Sequence, residues 1–221
     1  RVWEGWLGGA FLTPMSRAAL VKHPQKGALW PWIKDVDIYR CPRARSGHAV
    51  TYSIVNAANG SLVEGTYLPG TEDSLPGLPV LASRTGLGRR VGNTVLRLTR
   101  LTEIVSPGAG QRAVFIDQGQ VPRDYDFQVE YLYPKWSKHS PPPIRHSNGV
   151  TLSMADGHAE YWKWKGRETA NMLRMTFLGG RSGSANVIFE VLKEDYYEPQ
   201  TEDGLYDLQR VQRATWGRLG Y

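Results

Sequence analysis

Hydrophobic and polar positions change period several times along this chain, and each change marks an element. Trp3, Trp6 and Phe11 sit among glycines in an irregular aromatic opening. From Ser16, a residue type that accepts hydrogen bonds from the free amides of a first helical turn, the run Arg17-Ala18-Ala19-Leu20-Val21 favours helix until Pro24 interrupts it. Leu29, Trp32 and Ile33 recur at helical spacing and predict a second short helical turn. After Gly47 the period shifts to two. His48 to Val55 alternates and predicts a strand, with Asn59-Gly60 as a turn. Arg112-Ala113-Val114-Phe115-Ile116 reads as a buried strand ending at Asp117, and Val187-Ile188-Phe189-Glu190-Val191 as another. Val91 to Val105 fits either a strand or a helix. Near the end, Asp203 is the expected cap of a helix reaching about Trp216. Leu205, Leu208, Val211 and Thr215 form its stripe, and Gly217 stops it.

The sharpest local pattern spans Gly149 to Trp164. Val150, Leu152 and Met154 alternate with Thr151 and Ser153, Asp156-Gly157 follows, and Ala159, Tyr161 and Lys163 then alternate with Glu160 and Trp162. Asp-Gly between two period-2 runs is a strong hairpin signal, because both residue types tolerate positive φ. A two-residue turn pairs Ala155 with His158, Met154 with Ala159, Leu152 with Tyr161 and Thr151 with Trp162. The predicted core face is Val150, Leu152, Met154, Ala159 and Tyr161. Trp162 and Trp164 then lie on the opposite face, as a contact surface for a neighbouring subunit or a sugar ring, unless the N-terminal aromatic segment folds over them.

Two stretches lack a period. Residues 65–90 are rich in Gly, Pro, Ser and Thr, and residues 118–145 carry acids, five aromatics and Pro141-Pro142-Pro143. Both are expected to be long loop excursions from a single domain spanning 1–221. Short helices near the start, antiparallel strands in the middle and a C-terminal helix make the class α+β.

Composition narrows the options. Twenty-seven Lys plus Arg against 21 Asp plus Glu give a net charge of +6, dispersed along the chain, so no nucleic-acid partner is expected. The one cysteine, Cys41, excludes an intramolecular disulfide, a CxxC redox pair and a Cys-rich zinc site. No run of about 18 apolar residues is present. A Gly-x-Ser-x-Gly elbow is missing too, and Cys41 has no activating partner near it in sequence, so the expectation is a non-enzymatic protein.

Arg145-His146-Ser147-Asn148-Gly149 precedes the hairpin, and Ala155-Asp156-Gly157-His158-Ala159-Glu160 closes it, with nine residues between His146 and Asp156. This pattern resembles the H-x9-D-G signature of prepilin-type, processing-associated proteins, relatives of the type II secretion pseudopilins. Tyr39-Arg40-Cys41-Pro42, Tyr52-Ser53, Gly27-Ala28-Leu29-Trp30-Pro31, Val114-Phe115-Ile116-Asp117 and Asp207-Leu208-Gln209-Arg210 extend the likeness in separate blocks. The resemblance implies a pilin-like head, a sheet packed on a long hydrophobic N-terminal helix. These 221 residues do not include that helix, so a processed or truncated chain is the expectation. It further implies self-assembly into a filament or a secretion-associated pseudopilus, with this chain or other pilin-like subunits as partners. The place implied is the bacterial cell envelope or outside it, with membrane contact only through the absent helix. The alternative is a secreted carbohydrate-binding module that uses Trp162 and Trp164.

The chemistry-bearing residues have modest roles in this reading. Asp156 and Gly157 form the turn, and His146 leads into the strand with a local hydrogen bond. Asp156 and His158 flank Gly157 closely enough to share an ion. Asp117, Asp124 and Asp126 are the best oxygen-donor cluster. The resemblance implies calcium in a loop as one use of them, whereas the lack of EF-hand spacing favours ordinary loop acids.

Overall fold

The computed structural model describes residues 6–12, 16–44, 49–59, 90–119, 126–178, 188–194 and 196–221. Of the loop expected over 65–90, residues 65–89 lie outside them, as do Gly60 and Asp124, while Arg90 begins a strand. In chain order the elements are α1 (Arg17–Lys22), α2 (Trp30–Ile33), β1 (Tyr52–Val55), α3 (Asn56–Asn59), β2 (Arg90–Val91), β3 (Thr94–Val95), β4 (Ala113–Asp117), β5 (Asp126–Phe127) and β6 (Trp136–Ser137). They continue with β7 (Gly149–Met154), β8 (Ala159–Lys163), α4 (Arg167–Asn171), β9 (Arg174–Leu178), β10 (Ile188–Leu192), β11 (Tyr196–Tyr197) and α5 (Glu202–Trp216).

The class is α+β, built on a five-stranded sheet in the order β5-β1-β4-β7-β8. Four strands are antiparallel neighbours, but β5 runs parallel to β1, so the sheet is mixed rather than wholly antiparallel. Strand alternation sends side chains to two cores. Val55, Ile116, Val150, Leu152 and Met154 face α5, where Leu208, Val211, Ala214 and Trp216 are buried. Ile54, with Val114 and Phe115, faces the N-terminal segment, where Trp6, Phe11, Leu20 and Tyr39 form a second cluster.

Local chemistry explains the helix ends. The Ser16 hydroxyl accepts from the Ala19 amide, as its position before an apolar run predicts. The cap of α5 is Thr201 rather than Asp203: the Thr201 hydroxyl accepts from the Gly204 amide at 3.1 Å. Gly217 ends α5 in the left-handed region at φ 82°. Its stripe is as expected for Leu208, Val211 and Thr215, all buried, with Leu205 partly so.

Several expectations are corrected. Residues 56–59 form the helical turn α3 directly after β1, ending at Asn59 of the expected Asn59-Gly60 turn, whose second residue lies outside the described residues. The ambiguous stretch from Val91 resolves into a small β2-β3 hairpin followed by a 3-10 turn at Leu101–Glu103. The helical turn expected around Trp32 forms as α2, with Trp32 itself 83% exposed, whereas Trp216 on α5 is fully buried. The second excursion is no loose loop over its described part: Phe127, Val129, Tyr131 and Trp136 belong to the main core, and Pro141 to Pro143 are buried. Helix α5 holds it through its side chains. Gln212 donates to the Glu130 and Tyr133 carbonyls, and the Trp216 indole donates to the Val129 carbonyl.

The hairpin forms, with its register displaced by one residue. Ser153 pairs with Ala159, Leu152 with Glu160, Thr151 with Tyr161 and Val150 with Trp162. The loop has three residues, Ala155-Asp156-Gly157, with Gly157 at φ 95°. Its amide donates to the Met154 carbonyl at 3.0 Å, and the Met154 amide donates to the His158 carbonyl at 2.8 Å. This is the type I turn with a glycine bulge, the other hairpin that Asp-Gly suits. A one-residue slip transfers every β8 side chain to the other face. Trp162 and Trp164 are therefore core, and Tyr161 is 52% exposed.

Candidate functional site

Three residues far apart in sequence converge beside the C-terminal end of β4. Cys41 lies just past a 3-10 turn at Val36–Tyr39, Asp117 ends β4, and His146 precedes β7. Thr51 ties the first two together. Its hydroxyl accepts from the Cys41 amide at 2.7 Å, its own amide donates to the Tyr39 carbonyl, and its carbonyl accepts from the Gly119 amide. The Asp117 carboxylate is buried, accepting from the Gly119 amide through Oδ1 at 3.0 Å and meeting His146 Nε2 through Oδ2 at 2.7 Å.

His146 is presented by a strained bend. Ser147 and Asn148 both adopt left-handed backbone, at φ 53° and 58°, while the Asn148 amide reaches back to the Ile144 carbonyl. Asn tolerates this region, but Ser does so at a cost of about 1–2 kcal/mol. The Tyr161 hydroxyl donates to the His146 carbonyl at 2.8 Å, so the side chain that the register shift expels from the core braces this bend. The expected local hydrogen bond of His146 is thus replaced by a long-range one.

The Cys41 thiol, a carboxylate oxygen of Asp117 and a ring nitrogen of His146 all lie within 4.8 Å of one another. They border an open cleft of about 660 Å³, lined also by Arg43, Gly119, Arg145 and Tyr161. Gly119 sits at φ 74°, and a Cβ there would collide with the Arg145 side chain, so this glycine leaves room for Arg145 on the cleft wall. The donor set is one sulfur, one imidazole nitrogen and one carboxylate oxygen, which suits a borderline metal better than calcium. Cys41 and His146 share no hydrogen bond among the described residues; the imidazole instead meets Asp117.

The residues singled out from the sequence are distributed differently. Asp117 and Asp126 lie on strands either side of β1, opposite Tyr52 and Ile54, roughly 10 Å apart across the sheet, so they do not form one oxygen cluster. Asp156 and His158 do meet, His158 Nδ1 on Asp156 Oδ1, with His158 Nε2 3.1 Å from Glu160. Hydrogen bonding to Glu160 and then to Asp156 raises the His158 pKa, and the His158 amide and ring lower that of Asp156. Trp162 donates its indole N–H to Glu160, and the Arg210 guanidinium covers its ring at 3.8 Å. Trp164 donates to the Pro143 carbonyl and meets Trp136 edge-on at 6.1 Å. Neither tryptophan is available as a contact surface, and the N-terminal aromatics cover Phe115 and Tyr39 instead.

Sequence reasoning missed the convergence of Cys41 with His146. Both fall in blocks of the family resemblance, yet 105 positions of numbering separate them, and no local pattern links them. No helix among the described residues is long and apolar enough to cross a membrane. Comparison with protein families, curated proteins and solved structures finds no match to this chain.

Proposed function

We propose that this chain is a non-enzymatic, pilin-like or pseudopilin-like subunit that works by self-assembly at the cell envelope or outside it. The observation that carries this reading is that several of the separate sequence blocks meet in space. Tyr52 and Ser53 pair with Asp117 and Ile116, Phe115 pairs with Ser153 of the H-x9-D-G hairpin, and Cys41 and His146 close on Asp117. Trp32, 83% exposed on α2, adds apolar area of the kind subunit contacts bury.

Sedimentation and negative-stain imaging of the 221-residue chain test the proposal. Concentration-dependent oligomers or filaments are expected, and Trp32→Ser should weaken association at least about tenfold if that ring anchors the contact. A monodisperse monomer at every concentration, above all one that binds glycans at millimolar affinity or better, would overturn it.

A further inference from the structure

We propose that Cys41, Asp117 and His146 form a binding site for a single divalent ion of the zinc class, with a fourth coordination position open to the cleft. Self-assembly does not require such a site, and the donor geometry argues for it directly.

Tetrahedral zinc holds sulfur at about 2.3 Å and nitrogen or oxygen at about 2.0–2.2 Å, which spaces ligand atoms roughly 3.3–3.6 Å apart. Here the three donor atoms lie within 4.8 Å of one another, and the His146–Asp117 pair is at 2.7 Å. An ion would replace that hydrogen bond by drawing the carboxylate and imidazole slightly apart and the sulfur inward. Shifts of roughly 1 Å suffice.

The surroundings fit a site with outer support. Asp117 and Cys41 are buried while His146 keeps a quarter of its side chain exposed, so one side remains open. The Gly119 amide fixes the second Asp117 oxygen, Thr51 fixes the Cys41 backbone, and the left-handed bend at Ser147 and Asn148 holds His146 over the cleft. Such supporting bonds orient ligands in metal sites. Backbone strain kept beside converging donors points the same way. Binding takes Zn²⁺ with the Cys41 thiolate, the Asp117 carboxylate and neutral His146, releasing the thiol proton to solvent. Thiolate and carboxylate together balance the ion's two charges. Arg43 and Arg145 on the cleft then favour water or an anion in the open position.

The reduced chain is titrated with Co²⁺ as a spectroscopic probe and then with Zn²⁺ as competitor. One Co²⁺ per chain is expected, with a thiolate-to-cobalt charge-transfer band that Zn²⁺ abolishes. Cys41→Ser should remove the band. His146→Ala and Asp117→Asn should weaken Zn²⁺ binding about 100-fold or more, beyond the loss usual for supporting residues, with circular dichroism confirming that each variant folds. Bound Zn²⁺ should also slow reaction of the Cys41 thiol with a disulfide reagent. An intact wild-type chain that gives no charge-transfer band, or Zn²⁺ stoichiometry that Cys41→Ser leaves unchanged, overturns the proposal. Either result is independent of whether the chain assembles.

Discussion

Arg112 carries a cation through the middle of the fold, and replacing it with Met is the most informative perturbation of stability. The side chain is fully buried, and its guanidinium donates to the Val95, Leu96 and Thr215 carbonyls, the last at 2.8 Å. It therefore joins β3 to the last turn of α5, where carbonyls lack helical partners and a positive charge suits the helix dipole. Burial pulls its pKa down to about 10, so the group stays protonated at neutral pH while the fold bears a desolvation penalty of about 3 kcal/mol. Arg112→Met relieves that penalty but removes the donor from three carbonyls, at about 2 kcal/mol each. The balance is a destabilisation of about 3 kcal/mol, a large fraction of the 5–15 kcal/mol available to an ordinary domain. Urea unfolding followed by far-ultraviolet circular dichroism gives the midpoint and slope, and Arg112→Lys should fall between the two. A Met variant within about 0.5 kcal/mol of the parent, with an unchanged slope, would refute the account of a buried cation held by carbonyls alone.

The remaining predictions concern the hairpin. Gly157→Val should cost about 2 kcal/mol and Gly157→Asn distinctly less, because φ is 95° and a Cβ there meets nothing within 4 Å, leaving only the backbone penalty. Equal stability of the Val variant in thermal unfolding would remove the bulged-turn assignment. The His158 imidazole should titrate above its ordinary value of about 6.5 by NMR, and Glu160→Gln should bring it back toward that value. Because the folded pKa is raised, this contribution is fully present below about pH 6.5 and fades as pH rises through the folded value. A wild-type midpoint at or below 6.5 would contradict the Asp156–His158–Glu160 geometry.

Where one side chain or one turn decides the outcome, the sequence was legible. Ser16 caps α1, Gly217 ends α5, the run into Asp117 is a strand, and Asp156-Gly157 marks a hairpin. The α+β class follows from the same local periods. Asp-Gly, however, serves both a two-residue and a three-residue loop, and local energies do not separate them. Tertiary packing chose the longer loop. It buries Trp162 under Arg210 and Trp164 against Trp136, at the cost of exposing Tyr161, so two large rings leave water instead of one. Packing against α5 likewise turned an aperiodic stretch from Asp126 to Pro143 into core, since its anchors are side chains some 80 positions away. The cleft shows the same limit. The residue types Cys41, Asp117 and His146 could be read from the sequence, but only the folded chain brings their donor atoms within 4.8 Å: Asp117 ends a strand, whereas Cys41 and His146 sit on loops fixed by long-range hydrogen bonds to Thr51 and Tyr161, which spacing along the chain does not reveal.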